Sequence, residues 1–156
     1  MEVINNLFIG SSETARDFKF IKDNNIKCIV NCTKNIPNHF KGIEYMRVNI
    51  DGDGDELDTY LPHVISFIYK NYYLDKRPVL IHSRDGNQRA AIILACYIMK
   101  CTTCRDSKEA LETVYVKYPT AFNEGKNIKF FNIFNSYIKN EKINQEHVEN
   151  STSVLQ

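Results

Sequence analysis

The sequence lacks an excess of charge of one sign and lacks a long hydrophobic run. Its 20 Lys and Arg residues nearly balance 19 Asp and Glu residues, so no global positive field exists to hold duplex nucleic acid or an anionic membrane. No segment reaches the roughly 18 apolar residues that a membrane-spanning helix needs. The first residues also lack the basic and apolar stretches of a secretory signal. We therefore expect a cytoplasmic chain in which any recognition of phosphate is local.

The sequence also lacks a disulfide framework. Its five cysteines are an odd number scattered through apolar stretches, a pattern that fits reduced thiols in a cytosol. Cys101 and Cys104 form a C-x-x-C motif, but a structural zinc site needs a second ligand pair, and a redox motif needs a strand before its helix. We therefore expect incidental thiols, no metal site and no cofactor.

Length and apolar content predict one domain. The chain has 156 residues, of which 43% are hydrophobic, and this is enough to bury one sizeable core. Residues 141–156 lose hydrophobic periodicity and become polar. The domain is therefore expected at residues 1–140, followed by a polar C-terminal tail at 141–156.

Short apolar runs alternate with amphipathic segments along this domain. Strands are predicted at residues 7–9, 26–32, 45–50 and 79–82. Helices are predicted at about 12–24, 57–69, 89–99, 106–117 and 127–138. Phe18, Ile21 and Ala15 should form the inner face of the first helix, while Asp106 and Asn127 should cap the last two. The alternation predicts an α/β fold with three layers, a central mostly parallel sheet with helices on both faces.

One segment combines a buried strand, a polar loop with one glycine, and a buried helix. It spans residues 79–99 and contains the run His-Ser-Arg-Asp-Gly-Asn-Gln-Arg at 82–89. Backbone N–H groups of such a loop converge, Gly86 permits the tight turn, and the helix aims its positive end at the same point. Arg89 can grip two phosphate oxygens with its planar guanidinium. A plain strand-to-helix turn would explain Gly86 and Arg89 but not the whole combination, so we predict an anion cradle.

These residues resemble the signature H-C-x-x-G-x-x-R of cysteine-dependent protein tyrosine and dual-specificity phosphatases, with Ser83 in place of the cysteine. The likeness covers roughly residues 4–138, and the short chain resembles the dual-specificity branch. It implies that Ser83 occupies the nucleophile position, that Arg89 is catalytic, and that His82 supports the loop. It also implies a set of phosphate-binding residues, namely Ser83, Arg84, Asp85, Gly86, Asn87, Gln88 and Arg89.

The resemblance also implies a general-acid aspartate on a loop about thirty residues before the nucleophile position. The run Asp-Gly-Asp-Gly-Asp at 51–55 occupies this place, with Asp51 as first choice and Asp53 as second. A turn or capping role is the alternative. A calcium loop is disfavoured, because Glu56 and Pro62 stand where such a loop needs glycine and the chelating glutamate.

The chain departs from the family pattern at the nucleophile and around the arginine. A serine hydroxyl needs an adjacent base, and neither His82 nor Asp85 is an obvious one. Family members usually carry a hydroxyl residue after the arginine and often one before it, where this chain has Ala90 and Gln88. A laboratory replacement of the cysteine alone would leave these neighbours unchanged, so their loss favours a natural pseudophosphatase.

Three functional hypotheses follow. The first is an inactive or strongly impaired phosphatase-like domain that binds phosphorylated tyrosine, threonine or serine side chains. The second is an active dual-specificity phosphatase whose cysteine has been replaced by Ser83, with Asp51 as acid and Arg89 as phosphate clamp. The third is a scaffold that binds partners without phosphate. The expected partner is a phosphorylated protein or peptide, and phosphoinositide or RNA 5′-phosphate ligands remain open for the same cradle.

Overall fold

The structure is a computed structural model, and it describes residues 1–49, 57–104, 106–122, 132, 135–137 and 139. The strands are β1 (Glu2–Ile4), β2 (Leu7–Gly10), β3 (Cys28–Asn31), β4 (Glu44–Arg47) and β5 (Val79–His82). The helices are α1 (Ser12–Arg16), α2 (Phe18–Asp23), α3 (Leu57–Ile68), α4 (Arg89–Cys101) and α5 (Ser107–Lys117). A π-helical turn at Tyr69–Leu74 continues α3.

The five strands form one sheet in the order β1-β2-β5-β3-β4. The strands β2, β5, β3 and β4 are parallel to their neighbours, and β1 adds an antiparallel edge. His82 at the end of β5 is level with Gly10 on one side and Asn31 on the other. The carboxyl ends of parallel strands meet at one edge of a sheet, where ligands commonly bind. The loop that follows His82 therefore emerges at the centre of this edge.

Helices cover both faces of the sheet, as the sequence predicted. Residues of α3, α4 and α5 pack with Leu7, Ile9 and Ile81 in the larger hydrophobic cluster. Phe8 and Leu80 belong to a smaller cluster on the other face, together with residues of α1 and α2. Adjacent residues of a strand belong to different clusters because successive side chains point to opposite faces of the sheet. The mostly parallel three-layer α/β fold is thus confirmed.

The first predicted helix, at residues 12–24, is wrong as a single element. The backbone of Asp17 is extended, and its carboxylate accepts hydrogen bonds from the N–H groups of Lys19 and Phe20, which begins a second helix. An aspartate that caps a new helix competes with continuation of the preceding one. Phe18 is consequently 64% exposed rather than inward, whereas Ala15 and Ile21 are buried as expected.

Other boundaries differ by a few residues. The short strand β1 has no counterpart in the sequence prediction, and β3 and β4 are shorter than expected. Asp106 begins α5 as predicted, since its carboxylate accepts from the Glu109 N–H at 2.9 Å. The predicted cap Asn127 and the predicted tail at 141–156 lie outside the described residues. Within the described ranges, no helix has the length and apolar character needed to cross a membrane.

Candidate phosphate-binding loop

The loop at residues 83–88 is anchored at both ends in the core. The preceding strand β5 is central in the sheet, and all four of its residues are buried. The following helix α4 buries nine consecutive residues from Ala90 to Ile98. The strand and the helix flanking the loop are therefore both held by hydrophobic packing, which fixes where the loop begins and ends.

Ser83, the residue at the nucleophile position, lies buried at the start of the loop. Its N–H donates to the Gly10 carbonyl at 3.4 Å, and its Oγ accepts from the Gly86 N–H at 3.0 Å. The residue is only 4% exposed. A backbone donor of the loop is thus aimed at the position of the residue 83 side chain.

Gly86 satisfies two requirements at once. Its φ of +83° lies in the left-handed region, which side chains disfavour. A Cβ at this position would also lie 2.8 Å from the Tyr118 hydroxyl and 2.9 Å from the Gly10 carbonyl oxygen. The carbonyl belongs to β2 and cannot move aside easily. The local geometry therefore requires glycine here.

Three loop carbonyls accept hydrogen bonds from distant segments. The Ser12 N–H and Oγ donate to the Arg84 carbonyl at 3.1 and 3.2 Å. The Tyr118 hydroxyl donates to the Asp85 carbonyl at 2.7 Å. The Phe122 N–H donates to the residue 87 carbonyl at 3.0 Å. These supports could not be predicted from the sequence. Residues that lie 33 or 72 positions apart, such as those joined by the Tyr118 and Ser12 bonds, form no motif with a recognisable spacing.

These carbonyl bonds determine where the loop N–H groups point. In a planar trans peptide, the carbonyl of one residue and the N–H of the next point in opposite directions. With the carbonyls of Arg84, Asp85 and Asn87 held by outer segments, the N–H groups of residues 85, 86 and 88 point away from those segments. Convergent N–H groups followed by the N-terminus of a thirteen-residue helix form an anion-binding arrangement.

The charged and polar side chains at the outside of the loop have different partners. Arg84 and Asp85 are exposed, and the Asp85 carboxylate accepts from the Asn87 N–H at 2.9 Å. Asn87 Oδ1 also accepts from the Thr120 hydroxyl at 2.8 Å. Asp85 and Asn87 therefore stabilise the loop itself, while Arg84 lies at its rim.

Arg89 is half-buried in the first turn of α4. Burial raises the pKa of the Cys32 thiol just after β3, and the positive charge of Arg89 opposes this increase. An electrostatic effect on Cys32 places the guanidinium charge near the carboxyl edge of the sheet. This is the edge from which the loop at residues 83–88 emerges.

Two buried side chains at the ends of the loop carry polar atoms without a hydrogen-bond partner in the described part of the chain. They are His82, at Nδ1, and Gln88, at both Nε2 and Oε1. Burial lowers the pKa of His82 to about 4, so its imidazole is neutral and weakly basic at pH 7. A buried polar group without a partner costs about 1–3 kcal/mol. Stability alone therefore does not explain the presence of these two side chains.

The proposed general acids Asp51 and Asp53 lie outside the described residues. The flanking elements are in place, since Val48 follows β4 with its N–H bonded to the Asn31 carbonyl, and Leu57 begins α3. Within the described residues, no cluster of three or more His, Cys, Asp or Glu side chains could hold a metal ion. Cys101 and Cys104 are both partly exposed, and the Cys104 thiol donates a hydrogen bond to the Asp106 carbonyl at 3.2 Å.

Comparison with known families identifies this architecture. Residues 7–140 match the family model described as the dual specificity phosphatase catalytic domain. The chain belongs to this family. The matched range includes the whole of the loop at residues 83–88 and the segments after β1 that support it.

The sequence identity between this chain and individual members of the family is low. The chain is 31% identical over 97 residues to Dual specificity protein phosphatase Mpk3 of Drosophila melanogaster, covering 60% of this chain and 23% of that protein. It is 34% identical over 101 residues to MAP kinase phosphatase with leucine-rich repeats protein 1 of Dictyostelium discoideum, covering 62% and 12%. The chain therefore spans less than a quarter of these curated relatives. The crystal structure of human DUSP28 has a TM-score of 0.82 at 19% identity, covering 92% of this chain and 98% of that one, which supports the fold.

Proposed function

We propose that this dual-specificity phosphatase-like domain binds phosphorylated tyrosine, threonine or serine side chains in the loop at 83–89 and hydrolyses them poorly or not at all. The surroundings of Ser83 carry the proposal. In the part of the chain that the structure describes, the Ser83 hydroxyl bonds the Gly86 N–H and no basic side chain. A hydroxyl in this setting has a donor to stabilise an anion but no acceptor for its proton.

The chemistry of the nucleophile supports this conclusion. Free cysteine has a pKa of about 8.5, so a cradle of positive potential can produce the thiolate near neutral pH. A serine hydroxyl ionises far less readily and requires an adjacent base. The weakly basic His82 has an unpartnered Nδ1 in the described structure, and the Asp85 carboxylate is exposed and holds the Asn87 N–H. Neither group forms a hydrogen bond with the Ser83 hydroxyl in the described structure.

The same loop is well suited to bind phosphate. The N–H groups of residues 85 and 88 and the positive end of α4 would contact the phosphate oxygens, and Arg89 would add a charge-assisted fork. The exposed Arg84 would steer the ligand from the rim. The N–H donors, the positive end of α4 and the two arginines all belong to this chain. The proposed contact between the chain and the phosphate is therefore direct.

The second candidate is an active dual-specificity phosphatase in which Ser83 has replaced a native cysteine. The Gly86 N–H aimed at the residue 83 side chain favours it, because the same donor would stabilise a thiolate. Asp51, or otherwise Asp53, would then be the general acid. Against it, residue 90 is a buried alanine and residue 88 a buried glutamine, so no hydroxyl stands on either side of Arg89.

Phosphate release and phosphopeptide binding, measured on the same protein, test the proposal. We expect the chain to bind a phosphotyrosine or phosphothreonine peptide more tightly than its unphosphorylated form, without releasing phosphate above background. Turnover that disappears in Ser83→Ala would refute the inactive form. Equal binding of phosphorylated and unphosphorylated peptides would refute the phosphate-binding role.

The variant Ser83→Cys separates the two candidates. We expect at most weak activity toward an aryl phosphate, and an increase of about tenfold, equivalent to about 1.4 kcal/mol of barrier, when Ala90→Ser is added. Activity of Ser83→Cys alone at rates ordinary for the family would favour the active phosphatase with a replaced cysteine.

A further inference from the structure

A groove of about 370 Å³ lies between α2 and the segment that leads into β4. Its lining includes Lys27, which precedes β3, and Ile43, which precedes β4. Because Asn31 is level with His82, Lys27 and Ser83 are separated by five strand positions, or about 16 Å along the sheet. The groove is therefore at the opposite end of the parallel strands from the phosphate-binding loop.

The lining of this groove has charges of one sign. Lys22, Lys27 and Lys41 contribute, together with His39, and among the described residues that line the groove none is acidic. Within the described ranges, none of these three lysines forms an ion pair, whereas the neighbouring Lys19 pairs with Asp23 at 2.6 Å. The whole chain carries a net charge of only +1. Three uncompensated charges around one opening are thus a local concentration, and we call this surface the cationic groove.

Two aromatic rings contribute to the apolar part of the cationic groove, together with Ile21, Ile26 and Ile43. Phe18 is 64% exposed, and its ring centroid lies 6.2 Å from that of Phe40. Phe40 is packed against the smaller hydrophobic cluster, and its N–H donates to the Tyr45 hydroxyl oxygen at 3.0 Å. Phe18 and Phe40 thus form one contiguous apolar surface beside the positive charges, and contiguous apolar surfaces with a polar rim are typical of recognition sites.

We propose that the cationic groove binds an acidic protein segment that carries one large apolar side chain. The apolar side chain would pack against Phe18 and Phe40, and the flanking carboxylates would face Lys22, Lys27 and Lys41. Charge complementarity selects an acidic occupant, because every ionisable side chain of the lining is basic. The volume is at the lower end of the range for ligand pockets and suits an anchoring side chain of an extended segment.

Nucleic acid and anionic membrane match the cationic groove less well. Both present extended arrays of negative charge, and binding to them is carried by many basic groups over a large surface. Here the basic groups surround one small opening on a chain that is nearly neutral overall. The proposal concerns an unphosphorylated segment and does not rest on the phosphate-binding role of the loop at 83–89.

Fluorescence anisotropy with a labelled peptide tests the proposal. The probe is an unphosphorylated peptide with one phenylalanine flanked on each side by three acidic residues, and the matched peptide has lysine at the acidic positions. At an ionic strength of about 0.15 M we expect the acidic peptide to bind and the basic one not to bind. Lys22→Glu/Lys27→Glu should weaken binding about tenfold or more, and Phe18→Ser severalfold.

Three controls make the outcome decisive. Lys108→Glu/Lys117→Glu, on α5 at the other face of the sheet, makes the same change in net charge and should alter affinity less than about twofold. Arg89→Met should leave this peptide unaffected, so failure of the proposed phosphate binding and failure of this proposal are distinguishable. Equal losses in the two charge-reversed proteins, loss in Arg89→Met, or preferential binding of single-stranded DNA or phosphatidylserine vesicles would each overturn the proposal.

Discussion

The proposed phosphate-binding loop and the cationic groove present positive charge at opposite ends of the same parallel strands. In the loop, the donors are mainly backbone N–H groups whose direction is fixed by supports from α1 and from the chain after α5. In the groove, the charges are lysine side chains that form no ion pair in the described residues. The first arrangement is preorganised and resists substitution, whereas the second is adjustable and screened by salt.

Two glycines with positive φ, one in the loop and one in the groove, allow the test of this difference with the largest expected effect. Gly86 in the loop has a φ of +83°, and Gly42 in the groove has +82°. A Cβ at Gly42 would meet nothing within 4 Å, whereas one at Gly86 would collide with Gly10 and Tyr118. We expect Gly42→Ala to cost about 1 kcal/mol in the free energy of unfolding from backbone strain, and Gly86→Ala about 3 kcal/mol because overpacking is added.

Binding should separate the same pair of variants. Gly86→Ala should weaken phosphopeptide binding about a hundredfold, because the displaced backbone no longer directs the neighbouring loop N–H groups at the phosphate, and Gly42→Ala should not affect it. Urea denaturation and anisotropy measure the two effects. Equal stability costs at the two positions would show that the contacts with Gly10 and Tyr118 do not constrain the loop.

Substitution of Arg89 should have the next largest effect on phosphopeptide binding. A charge-assisted hydrogen bond contributes about 1.5–3 kcal/mol, so Arg89→Met should weaken phosphopeptide binding about tenfold to a hundredfold. Arg84→Ala, at the exposed rim, should weaken binding only severalfold, and this effect should disappear at high salt. Titrations at two salt concentrations measure both. If the two variants weaken binding equally, or if neither does, phosphate does not occupy the cradle.

The loop could be predicted from the sequence because its essential residues are contiguous along the chain. The buried strand, Gly86 and Arg89 follow one another directly along the chain, and the α/β fold follows from a regular alternation of strands and helices. The supports Ser12 and Tyr118 were not predictable, since they lie 72 and 33 residues from their loop partners. Such contacts arise only when the sheet brings α1 and the end of α5 beside the loop.

The cationic groove was not predicted from the sequence, and the reason is different. Its parts come from residues 18–27 and 39–43, and the sequence pattern placed Phe18 on a buried helix face. That expectation failed because capping by Asp17 divides the helix and leaves Phe18 exposed. A cap contributes about 1 kcal/mol, which is comparable to the cost of interrupting a short helix. The hydrophobic periodicity of a sequence carries no information about the balance between these two free energies.

The loop also differs from the groove because a titratable group, His82, is buried beside it. The pKa of His82 is lowered to about 4 in the folded chain, against the ordinary value of 6.5, so the unfolded chain binds more protons between these two pH values. Stability should therefore fall as pH decreases through this window, by about 2 kcal/mol between pH 7 and pH 5.

Two histidine variants isolate this effect. In His82→Asn the part of the pH dependence due to residue 82 should vanish, whereas His63→Asn, at an exposed position of α3, should retain it. Chemical denaturation at pH 7 and pH 5 measures the difference. An unchanged pH dependence in His82→Asn would show that the buried imidazole does not limit stability in acid.

The smallest expected effect concerns the support of the loop by Tyr118. Its hydroxyl donates to the Asp85 carbonyl at 2.7 Å, and this bond turns the Gly86 N–H toward Ser83. Tyr118→Phe keeps the ring and removes only the donor, so it should cost about 1 kcal/mol of stability and weaken phosphopeptide binding severalfold. Urea denaturation and anisotropy measure these two changes.

A tyrosine within α5 gives the matched control for Tyr118→Phe, which lies just after this helix. Tyr115 is 49% exposed, and in the described structure its hydroxyl forms no hydrogen bond to the loop, so Tyr115→Phe should change neither stability nor phosphopeptide affinity. Acidic-peptide binding in the cationic groove should be unchanged in both variants, because the groove lies at the other end of the strands. If Tyr118→Phe leaves phosphopeptide affinity unaltered while lowering stability, the bond stabilises the fold without orienting the cradle.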